Sequence, residues 1–446
     1  MKILALAYVY PPDAGSGTFR SLYFVNHWAA HGDDVTVVTV RSEDFAPDAL
    51  IDWALCEEID PTVEVIRAAA PRPMSRLLRL KSRFGSRLGA RGTLENTSDR
   101  PGGEKTAESV TTCLKDLVSA MLSFPDQHSA WVFDAVRKGV KACNKTQYDC
   151  IYASGGPWSC LLAATLTRMI TRRPLILDFR DPWYSNPNMS ARSRLWRKCS
   201  AWLEEICVRS ADRVLTNTEQ LKADFQRRYP SMNGAKFVTV PNGFQDSARW
   251  DAPPNDQHFV LLHAGALYGS RSARNFLVAI ADLIHEDRIP AEAIKIQFVG
   301  GLDFDSETSE YLHRKPLANV VEVIPRVPHA QALELQRSAS AFLLFQSGFP
   351  LQIPRKAYEY MAMNRPILAI AESQSATSDL ISRHSLGFVA QNDVASLRAQ
   401  ILALFEKWSS HKLWSTPSEV FELYSNRNLA SKARSVMRDA KCKSLT

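Results

Sequence analysis

Residues 2–8 and 34–40 (Asp34-Val35-Thr36-Val37-Val38-Thr39-Val40) are apolar runs of strand length, and residues 19–31 between them carry a helical pattern. The pattern predicts two parallel strands joined by a crossover helix. After helical stretches near 108–123 and 128–144 the alternation returns, with strands expected at 150–154, 174–180, 212–216 and 236–240. Helices near 158–170, 192–209 and 218–228 lie between them. Pro241-Asn242-Gly243 ends this half, and Pro253-Pro254-Asn255-Asp256 reads as a linker. A second series places strands near 258–264, 295–300, 319–324, 341–345, 367–371 and 387–390, again alternating with helices. A last helix over about 417–440 has no strand after it. The fold class is therefore α/β, with two doubly wound parallel sheets in separate domains facing across a cleft at the strands' C-terminal ends. The expected divisions are 1–246 with a basic insertion over 67–109, then 256–415, then a helical tail 416–446 packing back on the N-terminal domain.

Composition narrows the class. A chain of 446 residues is too long for one ordinary core, and 45% apolar with 23% charged residues is the balance of a soluble globular protein. The net charge of +7 permits anionic partners without demanding nucleic acid. The 8 cysteines form no C-x-x-C pair and no zinc spacing with histidine, and several sit in apolar runs. Reduced core thiols and a cytoplasmic location fit that usage. The apolar start runs into Pro11-Pro12 without a cleavage site, so it reads as a first strand, and no run of ~18 apolar residues is present to span a membrane.

Three stretches carry candidate chemistry. In Ile353 to Ile370, Pro354 suits a first helical position, Lys356 and Glu359 share one face, and Asn364-Arg365-Pro366 stops the helix before a buried strand. A helix N-terminus with a lysine beside it suits a diphosphate, and Glu359 suits two ribose hydroxyls. The same spacing also fits a surface lysine–glutamate pair. Gly15 and Gly17, in the loop after the first strand, allow close backbone approach to a ligand or simply make a tight turn; G-x-G-x-x-G is absent. Residues 67–92 hold Arg67, Arg72, Arg76, Arg79, Lys81, Arg83, Arg87 and Arg91 with no acid. Arranged as a helix they set an apolar stripe beside a basic one, a pattern of anionic membrane surfaces or of a solvated basic helix. Residues 93–109 read as a polar, breaker-rich loop.

Several stretches together resemble glycosyltransferase family 4. These are the Tyr-Pro-Pro-x-x-Gly-x-Gly loop after strand one and Pro241-Asn242-Gly243. Phe124-Pro125-Asp126 with Trp131, Asp178-Phe179-Arg180-Asp181-Pro182-Trp183, Ala211 to Val214, His263 to Arg271 and Pro354 to Pro366 are similar to a bacterial branch of that family. The resemblance implies the GT-B fold, two Rossmann-like domains, and retaining transfer of a sugar from a nucleotide diphosphate without a metal or other cofactor. The expected acceptor is a glycan or lipid-linked one, with the enzyme cytoplasmic and peripheral at the inner membrane face. It implies donor binding by Gly265, Tyr268, Arg271, Gly300, Lys356 and Glu359. Asp178, Arg180 and Asp181 are the implied catalytic loop, with Asp178 emerging at the sheet edge, and Gly15, Gly17 and Trp158 the N-domain side. Two family positions differ: Leu351 stands where the first glutamate of a paired signature falls, and Ala266 where one of two diphosphate-neutralising cations falls. Lys356 is the substitute expected for that cation.

Other classes share these features. A GT-B epimerase or hydrolase would turn over donor without acceptor, and a non-catalytic scaffold would fit Leu351 and Ala266. Nucleic-acid binding is not expected, since the basic stripe lacks interleaved aromatics.

Overall fold

The computed structural model describes all residues except 47–48, 72–122, 253–256, 266, 268–270, 302–305, 412–413 and 444–446. Contacts group the chain into two compact units, Met1–Leu177 with Glu205–Ala211, and Asp178–Glu204 with Asp212–Thr446.

Among the described residues, thirteen strands make two sheets. In the first, β1 (Lys2–Leu6), β2 (Asp34–Val40), β3 (Glu64–Ala68), β4 (Cys150–Gly155), β5 (Leu175–Phe179), β6 (Arg213–Thr216) and β7 (Phe237–Thr239) lie in the order β3-β2-β1-β4-β5-β6-β7. In the second, β8 (Phe259–Ala264), β9 (Ile294–Val299), β10 (Val321–Ile324), β11 (Ala341–Phe345), β12 (Ile367–Ile370) and β13 (Gly387–Ala390) lie in the order β10-β9-β8-β11-β12-β13. Strand β1 runs parallel to both neighbours, Lys2 beside Asp34 and Ile3 beside Cys150, and β8 does the same between β9 and β11. Each sheet therefore reverses its winding beside its first strand, which opens a crevice at the C-terminal ends there.

The helices of the first half are α1 (Ser16–Ala30), α2 (Trp131–Lys145), α3 (Trp158–Thr171), α4 (Arg194–Ser210) and α5 (Glu219–Arg228). The second half carries α6 (Arg274–His285), α7 (Ser306–Leu312), α8 (Leu317–Val320), α9 (His329–Ser338), α10 (Arg355–Ala362), α11 (Ala376–Arg383), α12 (Val394–Ser409), α13 (Ser418–Tyr424) and α14 (Asn426–Lys443). Helices on both faces explain the unbroken apolar strands. In β11, Leu343 and Phe345 join one core cluster, with Phe276 and Ile401, while Phe342 and Leu344 join the opposite one, with Tyr360 and Ile381. Each such side chain contributes about 1.5–3 kcal/mol on burial.

Two expectations change. Arg67 belongs to β3, not to a basic surface: its guanidinium donates to the carbonyls of Val40 (3.1 Å) and Pro11 (2.7 Å). The rest of the basic stretch from Arg72, and most of the expected 108–123 helix, lie outside the described residues. The expected helix over 417–440 is two helices. The Phe244 N–H takes the carbonyl of Tyr424 (3.1 Å) and the Phe244 carbonyl takes the N–H of Asn426 (2.9 Å), removing groups the helical ladder needs. Gly243 makes this approach possible, since a Cβ there would lie 2.3 Å from the Tyr424 oxygen. Beyond the break, α14 packs against β6. No described helix is long and apolar enough to cross a membrane.

Candidate functional site

At the winding reversal of the second sheet, the chain leaves β8 at Gly265 and β9 at Gly300, both at positive φ (134° and 126°). The Gly265 N–H is held by Val299 O at 2.6 Å, and the Gly300 N–H by Ile324 O at 3.0 Å. A Cβ on Gly300 would press on the Gly265 backbone at 3.0 Å, and one on Gly265 would fall 1.0 Å from Lys356 Nζ. The lysine thus reaches from α10 across a bare Cα, and only glycine satisfies both the dihedral and the space. Burial draws the Lys356 ammonium down to about 8; Glu359 opposes that, while Arg271 and Arg355 reinforce it. The Arg271 guanidinium lies over the Phe349 ring, 4.8 Å from its centre. Pro354 is the N-cap rather than the first helical residue of α10, and no side chain caps that end. Lysine, arginine and the helix dipole therefore converge on one crevice, an arrangement for an anion.

Glu359 does not stand open. Arg355, one turn earlier, pairs with it at 2.8 Å. Two residues that the sequence reading passed over organise the crevice from beneath. The Tyr360 hydroxyl accepts the Ala264 N–H at 2.8 Å while its ring stacks on Phe342, pinning α10 to the end of β8. His263 turns Nδ1 to the Leu343 carbonyl at 2.9 Å, so Nδ1 carries the proton, and its buried Nε2 has no hydrogen-bond partner. Burial, then the charges of Lys356 and Arg271, push His263 down to about 3 and keep it neutral. A buried tyrosine beside the lysine–glutamate face was the available signal for the first; nothing in the sequence signalled the second. Tyr268 and Ala266 lie outside the described residues.

The expected catalytic loop differs in detail. Asp178 does not emerge at the sheet edge; it lies inside β5 at 0% exposure, because the strand continues through buried Phe179. Arg180 is also mostly buried, and its carbonyl accepts the Asn217 amide at 2.9 Å. Asn217 in turn accepts the N–H of Asn242 at 2.8 Å, tying Pro-Asn-Gly to this loop. Asp181 is the partly exposed carboxylate, accepting Gln352 Nε2 at 2.9 Å just ahead of α10. Below it, buried Glu204 accepts the Tyr184 N–H (2.9 Å) and the Tyr229 hydroxyl (2.8 Å) and pairs with Arg228. Asp224 accepts Ser185 Oγ (2.7 Å) and Arg228 Nε (2.8 Å). Burial raises the Asp224 pKa, but Ser185, Arg228 and Arg227 outweigh it and leave the carboxyl below its usual range.

In the first unit Gly15 caps α1 at an ordinary φ of −65°. Its missing side chain serves Asp13 instead, whose Oδ1 accepts the Gly15 N–H (2.7 Å) and Thr18 Oγ1 (3.0 Å), and which a Cβ would approach at 2.8 Å. Gly17 lies in the first turn of α1. Trp158 opens α3, partly exposed, and Asp126 caps that end by accepting the Ser159 N–H (2.8 Å) and hydroxyl (2.6 Å).

Residues 18–243 match the family described as Glycosyl transferase 4-like domain, and residues 258–407 that described as Glycosyl transferases group 1. The chain belongs to this glycosyltransferase family. No curated protein sequence matches it. Among solved structures, the glycosyltransferase is similar to HepE of Anabaena in complex with UDP, at 16% identity and TM-score 0.64 over 98% of this chain and 100% of that one. It is similar to sucrose-phosphate synthase from Thermosynechococcus elongatus at 15% identity and TM-score 0.64, over 98% of both chains. It is also similar to UDP-GlcNAc 2-epimerase from Methanocaldococcus jannaschii, at 11% identity and TM-score 0.51 over 98% and 99%. At such identities the likeness is one of fold, and that fold is GT-B. In this glycosyltransferase, Leu351 contributes backbone: its carbonyl accepts Thr218 Oγ1 at 2.8 Å.

Proposed function

We propose that this glycosyltransferase moves a sugar from a UDP-sugar to a glycan or lipid-linked acceptor, with retention at the anomeric carbon, in cell-surface polysaccharide or glycolipid synthesis. The observation that carries the reading is Lys356 lying across Gly265 at the winding reversal, beside Arg271 and the uncapped end of α10. Departure of the nucleotide leaves charge on its diphosphate, and cations already fixed in a half-buried crevice lower that barrier. Lys356 takes the role that Ala266 cannot, and these side chains neutralise the leaving group without a metal ion. Glu359 leaves Arg355 to accept the ribose hydroxyls. Asp181 and Arg180 orient the incoming acceptor hydroxyl, held in place through Gln352 and Asn217. UDP is favoured as the nucleotide because HepE, of the same fold, binds it.

A thermal-shift comparison of UDP-, GDP-, ADP- and TDP-sugars tests the donor, since a ligand stabilises in proportion to its affinity for the native state. Transfer assays in the presence of EDTA, with NMR of the product's anomeric configuration, test the chemistry. Inversion, or loss of transfer in EDTA, refutes the mechanism. Turnover of donor without an acceptor transfers the assignment to the epimerase or hydrolase class. Binding of no nucleotide sugar leaves only a scaffold.

A further inference from the structure

Among the described residues of the second unit, the two most exposed large apolar side chains lie on α4, whose first turns are rich in basic residues. Leu195 keeps 67% of its surface exposed and Trp202 63%. They are seven residues apart on α4, two turns, with exposed Lys198 between them on the same stripe. Exposed Arg194 flanks this stripe, and exposed Arg192 and Arg197 add positive charge around the same helix end, Arg192 lying over the Trp196 ring at 5.1 Å. From Pro182 to Leu203 the chain holds no acid. The first acids that follow do not offset these cations, because Glu204 is buried against Arg228 and Glu205 is paired with Arg209 at 2.8 Å.

Leu195 and Trp202 leave apolar surface in water, and four cations over seven positions repel one another with no carboxylate between them. An anionic bilayer satisfies both at once. Tryptophan prefers the headgroup level, leucine the acyl boundary, and arginine and lysine the phosphates above. We propose that the N-terminal half of α4 is a membrane-docking surface that seats the enzyme on anionic phospholipid. This surface belongs to a different segment of the sequence from 72–92, and the proposal is independent of the donor reading.

The test is co-sedimentation of the full chain with vesicles of pure phosphatidylcholine and of phosphatidylcholine with 30% phosphatidylglycerol (roughly the anionic share that gives a strong surface potential), in low and high salt. Wild type is expected to bind the charged vesicles and to be released by salt. Arg194→Ala, Arg197→Ala and Lys198→Ala combined should lower the partition coefficient on the order of 100-fold. Trp202→Ser with Leu195→Ser should lower it by roughly 10-fold or more. All five positions are exposed, so melting temperature should hold. Quenching of tryptophan fluorescence by brominated lipid should weaken in Trp202→Phe. Partition of both combined variants equal to wild type overturns the proposal. Failure of wild type to bind charged vesicles does so too, and would point to an acidic soluble partner.

Discussion

Lys356→Met separates stability from binding in one substitution. The ammonium sits half-buried beside Arg271 and Arg355, at about 8 against 10.5 for a free lysine. That difference corresponds to roughly 3 kcal/mol against the charged form, of which about 1–2 kcal/mol is expected after allowing for partial exposure. The sign follows from which state holds the proton. Below pH 8 both folded and unfolded chains carry it, and the cost to the fold is complete. Between pH 8 and 10.5 only the unfolded chain does, so wild-type stability recovers as pH rises. Methionine fills the channel over Gly265 without charge, so the variant should melt roughly 2–6 °C higher at pH 7, an advantage that fades by about pH 10.5. Donor binding should move the other way. Losing a charged donor to a diphosphate costs about 1.5–3 kcal/mol, so Kd for UDP should rise roughly 10- to 150-fold at pH 7. Calorimetric melting at several pH values with UDP titration checks both. A variant that melts lower and binds UDP within about twofold of wild type would show that Lys356 is a structural side chain, and the anion crevice would lose its central cation.

Gly265→Ala should cut donor affinity at least as severely, because a Cβ 1.0 Å from Nζ expels Lys356 and the φ of 134° is strained for alanine; calorimetry with UDP would detect it. Arg355→Ala frees Glu359 and should tighten UDP binding by about twofold, the scale of a partly exposed pair, whereas weaker binding would make Arg355 the ligand. Asp181→Asn should keep the melting temperature and lower turnover by roughly 100-fold, while Asp178→Asn, buried in β5, should lower the melting temperature by several degrees. His263, neutral and held near 3, should make the fold lose stability as pH falls from about 6.5 towards 3, because the unfolded chain takes up the proton first; acid titration of His263→Leu should lack that slope.

Strand and helix order was legible along almost the whole described chain, because strands buried on both faces and crossover helices differ in length and period. The elements at 34–40, 341–345 and 387–390 coincide with β2, β11 and β13 residue for residue. The pairing of Lys356 with Gly265 was legible only in part. The two residues were candidates separately, yet they are 91 positions apart (356 − 265), and nothing local places one across the other. Glu359 was identified as a carboxylate at the right spacing, but its present partner, Arg355, depends on which rotamers the packed helix allows. Asp178 and Asp181 looked equivalent in sequence. Tertiary structure separates them, since β5 runs on through Phe179 and buries the first, while Pro182 and Gln352 leave the second partly in solvent. Arg67 read as the start of a basic run because charge is visible in sequence and the carbonyls it satisfies are not. Periodicity is a property of neighbours along the chain and so fixes elements. Burial, hydrogen-bond partners and shifted titration arise between residues distant in sequence, and only the packed chain brings those together.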